Sequence, residues 1–411
     1  MNRPQLRRAQ LALRAATETF AIELGDPGGS APQWTDFEWT MAKAAAVLHG
    51  IAPLLASNLR WRGPPDWEQF LSQQLHHTTA RQQRMSALLG CIDEMSRADA
   101  VAFIALKGSA LHAMQIYACG QRPMADIDLL VHISDAPLMT TLLRSLGFKQ
   151  TFAIWKHRIF ESQTPPRARD RDDAGFGEDE HAPIKIDLHT HIAERLPINE
   201  ADISQFIYPL KFRPGLNPYP SHAALMLHLL LHAAGNITGR NLRLIQLHDI
   251  ALLASRMNDG EWGQLLQWRI VGRPAWWAVP PLRLAQRYYP HCIPAQVVNE
   301  LSMACPRALN RASLRQQLSD VSYTALADKA FPALAWTGSF SEGLEYVRAR
   351  FNPRPEQRAL GEVTSAERWA IGSGWTAMSR KQRAVRGLLM QAPRLCSIYV
   401  VRAAIEASEQ R

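Results

Sequence analysis

Apolar residues recur at three- and four-residue spacing through residues 1–98, the period of helices that bury one face. Leu6, Leu13, Phe20 and Leu24 fall on one such face. The stretches 36–59 and 67–97 carry the same period, with Gly63, Pro64 and Pro65 punctuating between them. The period then changes. Residues 101–106 (VAFIAL) form a short continuous apolar run ending at Lys107-Gly108-Ser109, which predicts a buried strand handing over to a helix that reaches about Ala118 and stops at Gly120. A second strand is expected over 126–132 (DIDLLVH), a helix over 135–146 ended by Gly147, and partly strand-like sequence over 148–161. Residues 162–182, rich in Pro, Gly and charge, read as a solvated loop. Residues 183–192 (PIKIDLHTHI) alternate strictly, with Ile184, Ile186 and Leu188 on one face and Lys185, Asp187 and His189 on the other. From Ile203 onward the helical period returns, with Ser221 after Pro220 as a cap. Helices are expected over 221–234, 241–256, about 276–288, and 380–409 as a basic amphipathic tail.

This succession predicts an α+β protein. A small mixed β-sheet core over 99–200 lies between an N-terminal helical region, 1–98, and a C-terminal helical region, 201–411. Composition narrows the class: 47% apolar and 20% charged residues are a globular mixture, which excludes collagen, coiled coil and general disorder. The longest apolar stretch, 223–234, is too short to cross a bilayer and carries two histidines, so no membrane span is expected. The opening residues are basic, but their apolar run is broken by Arg14, which argues against a secretory signal. Five scattered cysteines without a CxxC pair point to neither a disulfide framework nor a zinc knuckle, and a reducing cytoplasm is the expected compartment. A net charge of +9 favours acidic partners such as nucleotides or nucleic acid, although the positive residues are spread thinly along the chain.

The chemistry concentrates on three acids. Asp126 and Asp128 are one residue apart, so in a strand both project from the same face while Ile127 points to the core. Carboxylates held a few ångströms apart repel, and an oxygen-seeking divalent cation, typically Mg²⁺, resolves that repulsion. Asp187, on the polar face of a later strand, completes a clamp for two metal ions if the strands are neighbours. Upstream, the strand ending in Gly108-Ser109 offers backbone N–H groups at a helix start, where a polyphosphate can bind, and Lys107 and Arg122 flank it as cations. Gly108 and Ser109 also suit a plain tight turn and helix cap.

The segment LKGSALHAMQIYACGQRPMADIDLLV resembles the Gly-Ser plus Asp-x-Asp signature of DNA polymerase beta-like nucleotidyltransferases. Lys107-Gly108, Arg122 and residues 126–131 (DIDLLV) are similar, more narrowly, to the bacterial group called uncharacterised nucleotidyltransferases. Residues 49–55 (HGIAPLL) and 247–250 (LHDI) resemble that group too, so the likeness spans about residues 35 to 260. It implies Mg²⁺-dependent transfer of a nucleoside monophosphate from a nucleoside triphosphate to an acceptor hydroxyl, with release of pyrophosphate. On that pattern Asp126 and Asp128 hold two metal ions, and Asp187 joins one of them and helps deprotonate the acceptor. Gly108 and Ser109 cradle the β- and γ-phosphates, and Lys107 and Arg122 bind the nucleotide. The departure is the linker of 16 residues between Ser109 and Asp126, longer than in the commonest members. The acceptor stays open: a small molecule, a peptide, a protein side chain or an RNA end.

Two rivals stand beside this reading. One is a catalytically idle relative that binds nucleotide and regulates. The other is a metal-dependent hydrolase using Asp187, His189 and His191, which in a barrel would need further ligands on later parallel strands. His228 and His232, four apart in HLLLH, lack the glutamate of a zinc peptidase and read as core or interface histidines. Trp276-Trp277 and Tyr288-Tyr289 read as helix packing rather than base stacking.

Overall fold

The computed structural model describes residues 3–153, 157–163, 177–323, 331 and 333–352, with a few positions between 379 and 405. Most of the expected tail helix over 380–409 and most of the 162–182 loop lie outside the described residues. Helix α1 (Arg3–Gly25) buries Leu13, Phe20 and Leu24, the spacing read from the sequence. The 36–59 pattern divides into α2 (Asp36–His49) and α3 (Ala52–Asn58). Gly50 closes α2 with a left-handed φ of 64°, and Pro53 sits in the first turn of α3, where its missing N–H has no helical partner to lose. Helix α4 (Pro65–Ala98) follows, 34 residues long and also opened by proline.

The α/β segment runs β1 (Ala102–Ala105), α5 (Gly108–Ala113), β2 (Asp126–Val131), α6 (Ala136–Ser145), β3 (Phe148–Ala153), β4 (His157–Ser162) and β5 (Lys185–His189). Helix α5 is shorter than expected: Gln115 takes a φ of 52°, and turns carry the chain to β2. A two-stranded ribbon, β6 (Ala193–Arg195) and β7 (Glu200–Asp202), precedes α7 (Ser204–Ile207). One further strand, β8 (Gly215–Asn217), lies where the sequence reads as helical. Three residues are too few to display alternation, yet they pair in parallel with β1. The sheet order is β3-β4-β5-β2-β1-β8, with β2 parallel to β5 and β1 antiparallel to β2. It is open, with β3 and β8 at its edges, so the closed barrel that the hydrolase rival needs is not formed.

Alternation gives the sheet two unlike faces. Ile127, Leu129 and Val131 of β2 and Ile186 and Leu188 of β5 pack with Met139 and Leu143 of α6 and with Met85 and Ile92 of α4. Leu130 and Ile104, pointing the other way, join the large apolar cluster of the helices. Asp126 and Asp128 share the face of Leu130, so the acids look toward the helical half. That half comprises α8 (His222–Gly239), α9 (Leu244–Ala254), α10 (Asp259–Gln267), α11 (Val279–Tyr288), α12 (Ala295–Met303), α13 (Arg307–Arg315), α14 (Leu318–Ser322) and α15 (Phe340–Phe351). The Ser221 hydroxyl accepts from the Ala224 N–H and caps α8, as expected. Trp277, Tyr288 and Tyr289 are buried, in keeping with helix packing.

Candidate active site

Parallel pairing of β2 with β5 sets Asp128 directly opposite Asp187 and Asp126 opposite Lys185. Directly paired residues share a face, so the two aspartates meet side by side. One ligand atom each from Asp128, Asp187 and His189 falls within 4.8 Å of the others. Asp126 sits one pleat earlier on the same face of β2. Arg81, from α4, holds the entrances of both strands: its guanidinium donates to the carbonyls of Met124 (3.2 Å), Ala125 (2.9 Å) and Ala182 (2.8 Å).

The charges are not balanced. Lys107 Nζ and His189 Nε2 both reach Asp128 Oδ1, each at 2.9 Å. Burial opposes ionisation of Asp128, but the Lys107 ammonium and the His189 hydrogen bond outweigh it and hold this carboxyl well below the usual carboxylate range. The other two go the opposite way. Burial, with the neighbouring Asp128 charge, pushes Asp126 up to about 6. Burial, with the Asp126 and Asp128 charges, pushes Asp187 up to about 8. Lys107, Arg81, Arg243 and Lys185 all pull on these carboxyls, yet Asp126 and Asp187 stay raised, and an oxygen-rich donor set with that surplus of negative charge fits a hard divalent ion.

Lys107 is placed by an unusual backbone. It has φ 46° and ψ −112°, a region that L residues rarely occupy, at the start of α5. The turn beyond it is tightly packed. A Cβ on Gly108 would stand 2.3 Å from Arg122 Nη1 and 2.7 Å from Met124 Sδ, so an added methyl group would have to push both side chains aside. Ser109 is buried; its N–H donates to the Leu106 carbonyl and its hydroxyl lies 3.8 Å from Met124 Sδ. Arg122 is 9% exposed and grips Asp249 of α9, Nε to Oδ1 and Nη2 to Oδ2, both at 2.7 Å. Tyr117 Oη donates to the same Asp249 at 2.7 Å. The structure thus gathers Asp126, Asp128, Asp187 and Lys107, and sets Gly108, Ser109 and Arg122 in the wall beneath them.

Of the histidines in the hydrolase alternative, His189 belongs to the acid cluster, whereas His191 hydrogen-bonds the neighbouring Thr190 hydroxyl at 3.1 Å. Arg81, Tyr117, Asp249 and Tyr219 were not singled out for the site by sequence reasoning. The one available signal was the resemblance of LHDI, which contains Asp249, to the same family as the acid motif.

Acids presented side by side on parallel strands, next to a Lys-Gly-Ser turn, are the features on which nucleotidyltransferase likeness rests. A family model described as uncharacterised nucleotidyltransferase matches residues 35–271, more than half of the chain, and the chain belongs to that family. The matched span holds the whole sheet, the acids and both Arg122 and Asp249. No curated protein and no solved structure gives a match. Membership supports nucleotidyl transfer as the general activity and a nucleotide as substrate. Among the described residues no single helix is long and apolar enough to cross a membrane.

Proposed function

We propose that the protein is a Mg²⁺-dependent nucleotidyltransferase of the polymerase beta-like type, acting in the cytoplasm and moving a nucleoside monophosphate from a triphosphate to an acceptor hydroxyl with release of pyrophosphate. The observation that carries this reading is the pairing of Asp128 with Asp187 across parallel strands, with Asp126 on the same face and Lys107 bound to Asp128. Asp126, Asp128 and Asp187 would hold Mg²⁺, two ions in the full complement. Bound there, the metal neutralises charge on the phosphates and lines up attacking and leaving oxygens.

The chain's own residues have separate tasks. Asp187, opposite Asp128 and ionised when it holds the metal, would help to take the proton of the attacking hydroxyl. Lys107 Nζ, 18% exposed and next to Asp128, supplies a positive charge at the phosphate side of the site. Gly108 lets the backbone approach closely. Ser109 and Arg122 act from below: the serine N–H ties the turn to β1, and the Arg122–Asp249 pair fixes the segment that leads into β2.

The test is label transfer from an α-³²P triphosphate with Mg²⁺ and a cell extract. Wild type is expected to label an acceptor, and Asp126→Ala and Asp128→Ala to abolish the label. Unchanged labelling in both variants would refute the site. Triphosphate binding without any transfer would favour the idle, regulatory relative.

A further inference from the structure

Behind the acids lies a partly open cavity of about 30 Å³ lined by Lys107, His189, His191, His228, His232 and Glu194, with apolar residues just before and within β6 and on α8 beside them. Lys107 and His189 are shared walls, because the same two side chains that hydrogen-bond Asp128 also face the cavity. His228 and His232 are four apart on α8 and so present one face to it.

The protonation of His228 follows from its partners. Tyr219 Oη accepts from the Lys107 N–H at 3.4 Å, which turns the phenol proton toward His228 Nδ1, 2.8 Å away. Burial, together with the Lys107 charge, holds this imidazole well below its ordinary value, so it is neutral. A neutral ring that accepts at Nδ1 carries its hydrogen on Nε2 and acts there as a donor. Lys107 and His228 bring donors to the lining, beside the carboxylate of Glu194, which packs against Gly235 of α8.

Size limits the guest. A single water needs roughly 10–15 Å³ on this measure, so the cavity holds about two oxygen-sized groups and no sugar or base. Two oxygens on one centre, facing donors, describe the end of an oxyanion. We infer that this histidine-lined cavity anchors a compact oxyanion, phosphate or carboxylate, carried by the acceptor, and so places the acceptor hydroxyl beside Asp128 and Asp187. The inference rests on the nucleotidyl reading and adds the chemical class of acceptor.

The test uses the full chain with ¹⁵N-labelled histidine rings, saturated with Mg²⁺ and a non-hydrolysable α,β-methylene triphosphate, titrated with inorganic phosphate and separately with acetate. At least one anion is expected to shift the His228 and His232 resonances while the analogue stays bound, and the stronger arm tells phosphate from carboxylate. His228→Asn keeps an acceptor for Tyr219 and removes the Nε2 donor; it is expected to weaken the anion at least about tenfold, the loss of one good hydrogen bond. His232→Gln is the second variant, and melting temperature and analogue affinity serve as folding controls for both. Displacement of the analogue by the anion, equal anion affinity in both variants, or no histidine shift with either anion would overturn the inference. A protein that binds anion in this way but neither Mg²⁺ nor the analogue would sink the nucleotidyl reading instead.

Discussion

Two sets of carboxylates, Asp249 and the buried or half-buried strand acids, lie within the family-matched span and are solved in opposite ways. Asp249 is 1% exposed and fully answered: two bonds from the Arg122 guanidinium and one from Tyr117, all at 2.7 Å. Of the strand acids, Asp128 is bonded by Lys107 and His189, while Asp126 and Asp187 are driven toward the protonated form despite the pull of Lys107, Arg81, Arg243 and Lys185. A balanced buried charge is a component of the scaffold. An unbalanced one is tolerated where a ligand completes it. The contrast separates Asp249, which belongs to the framework, from the strand acids, to which the proposed function gives the chemistry.

The sharpest way to break this contrast is Asp187→Asn. Transfer is expected to fall more than about 100-fold, the scale of losing one preorganised electrostatic group, while in EDTA above about pH 8, where Asp187 ionises, the variant melts higher than wild type because one repelling charge is gone. A lower melting temperature would place Asp187 in the framework after all. Asp249→Asn should do the reverse and destabilise by about 3–5 kcal/mol, the cost of leaving a buried guanidinium without its anion, measured by urea unfolding. A neutral result there would erase the distinction.

Gly108→Ala sharpens it further by pressing a methyl group onto Arg122 Nη1 and Met124. A loss of about 1–3 kcal/mol is expected, with transfer reduced through the displaced turn; stability and activity measured together would show how far the scaffold pair controls the site. The pH dependence separates the two groups more gently. Asp187 is raised to about 8 in the fold, against roughly 3.9 for a free carboxyl. Between those values the folded chain binds more protons than the unfolded one, so metal-free stability falls as pH rises, and the rise in melting temperature given by Mg²⁺ should grow from pH 5 to 8. His49, held down to about 3 by burial and by Arg243, works in the other sense in the helical region. From roughly 6.5 downward the unfolded chain takes up a proton that the fold refuses, so stability is lost as pH falls; His49→Gln, if it keeps the Leu244 N–H bond at 3.0 Å, should flatten the acid limb of the melting curve.

The acids were legible in the sequence because strand alternation is a local signal. DID and KIDLH each announce which residues share a face; burial alternates with that pattern in β5, while β2 is buried on both faces beyond Asp126. Their partners were not. Arg81 reaches a carbonyl 44 residues away, Tyr219 a backbone N–H 112 away, and Arg122 a carboxylate 127 away. No periodicity encodes such distances. Arg122 in particular carries the charge of a phosphate ligand in the sequence, and only the fold shows its guanidinium bound to Asp249. The helical regions were legible as helices, but the break at Gly50 and the strand at Gly215–Asn217 depend on single backbone angles and on a neighbour that the local sequence does not contain.

Helix α4 has a consequence for how the molecule can be cut. Over its 34 residues, about 50 Å at the helical rise, Trp67, Phe70 and Leu71 near one end enter the helix cluster, and Met85 and Ile92 near the other lie under the sheet. Arg81, between them, fastens both acid-bearing strands. The helix is thus a common spine: a fragment trimmed to the sheet alone, starting at Val101, would arrive with a bare greasy underside and its acid strands unstapled, and any smaller working piece has to carry this rod along.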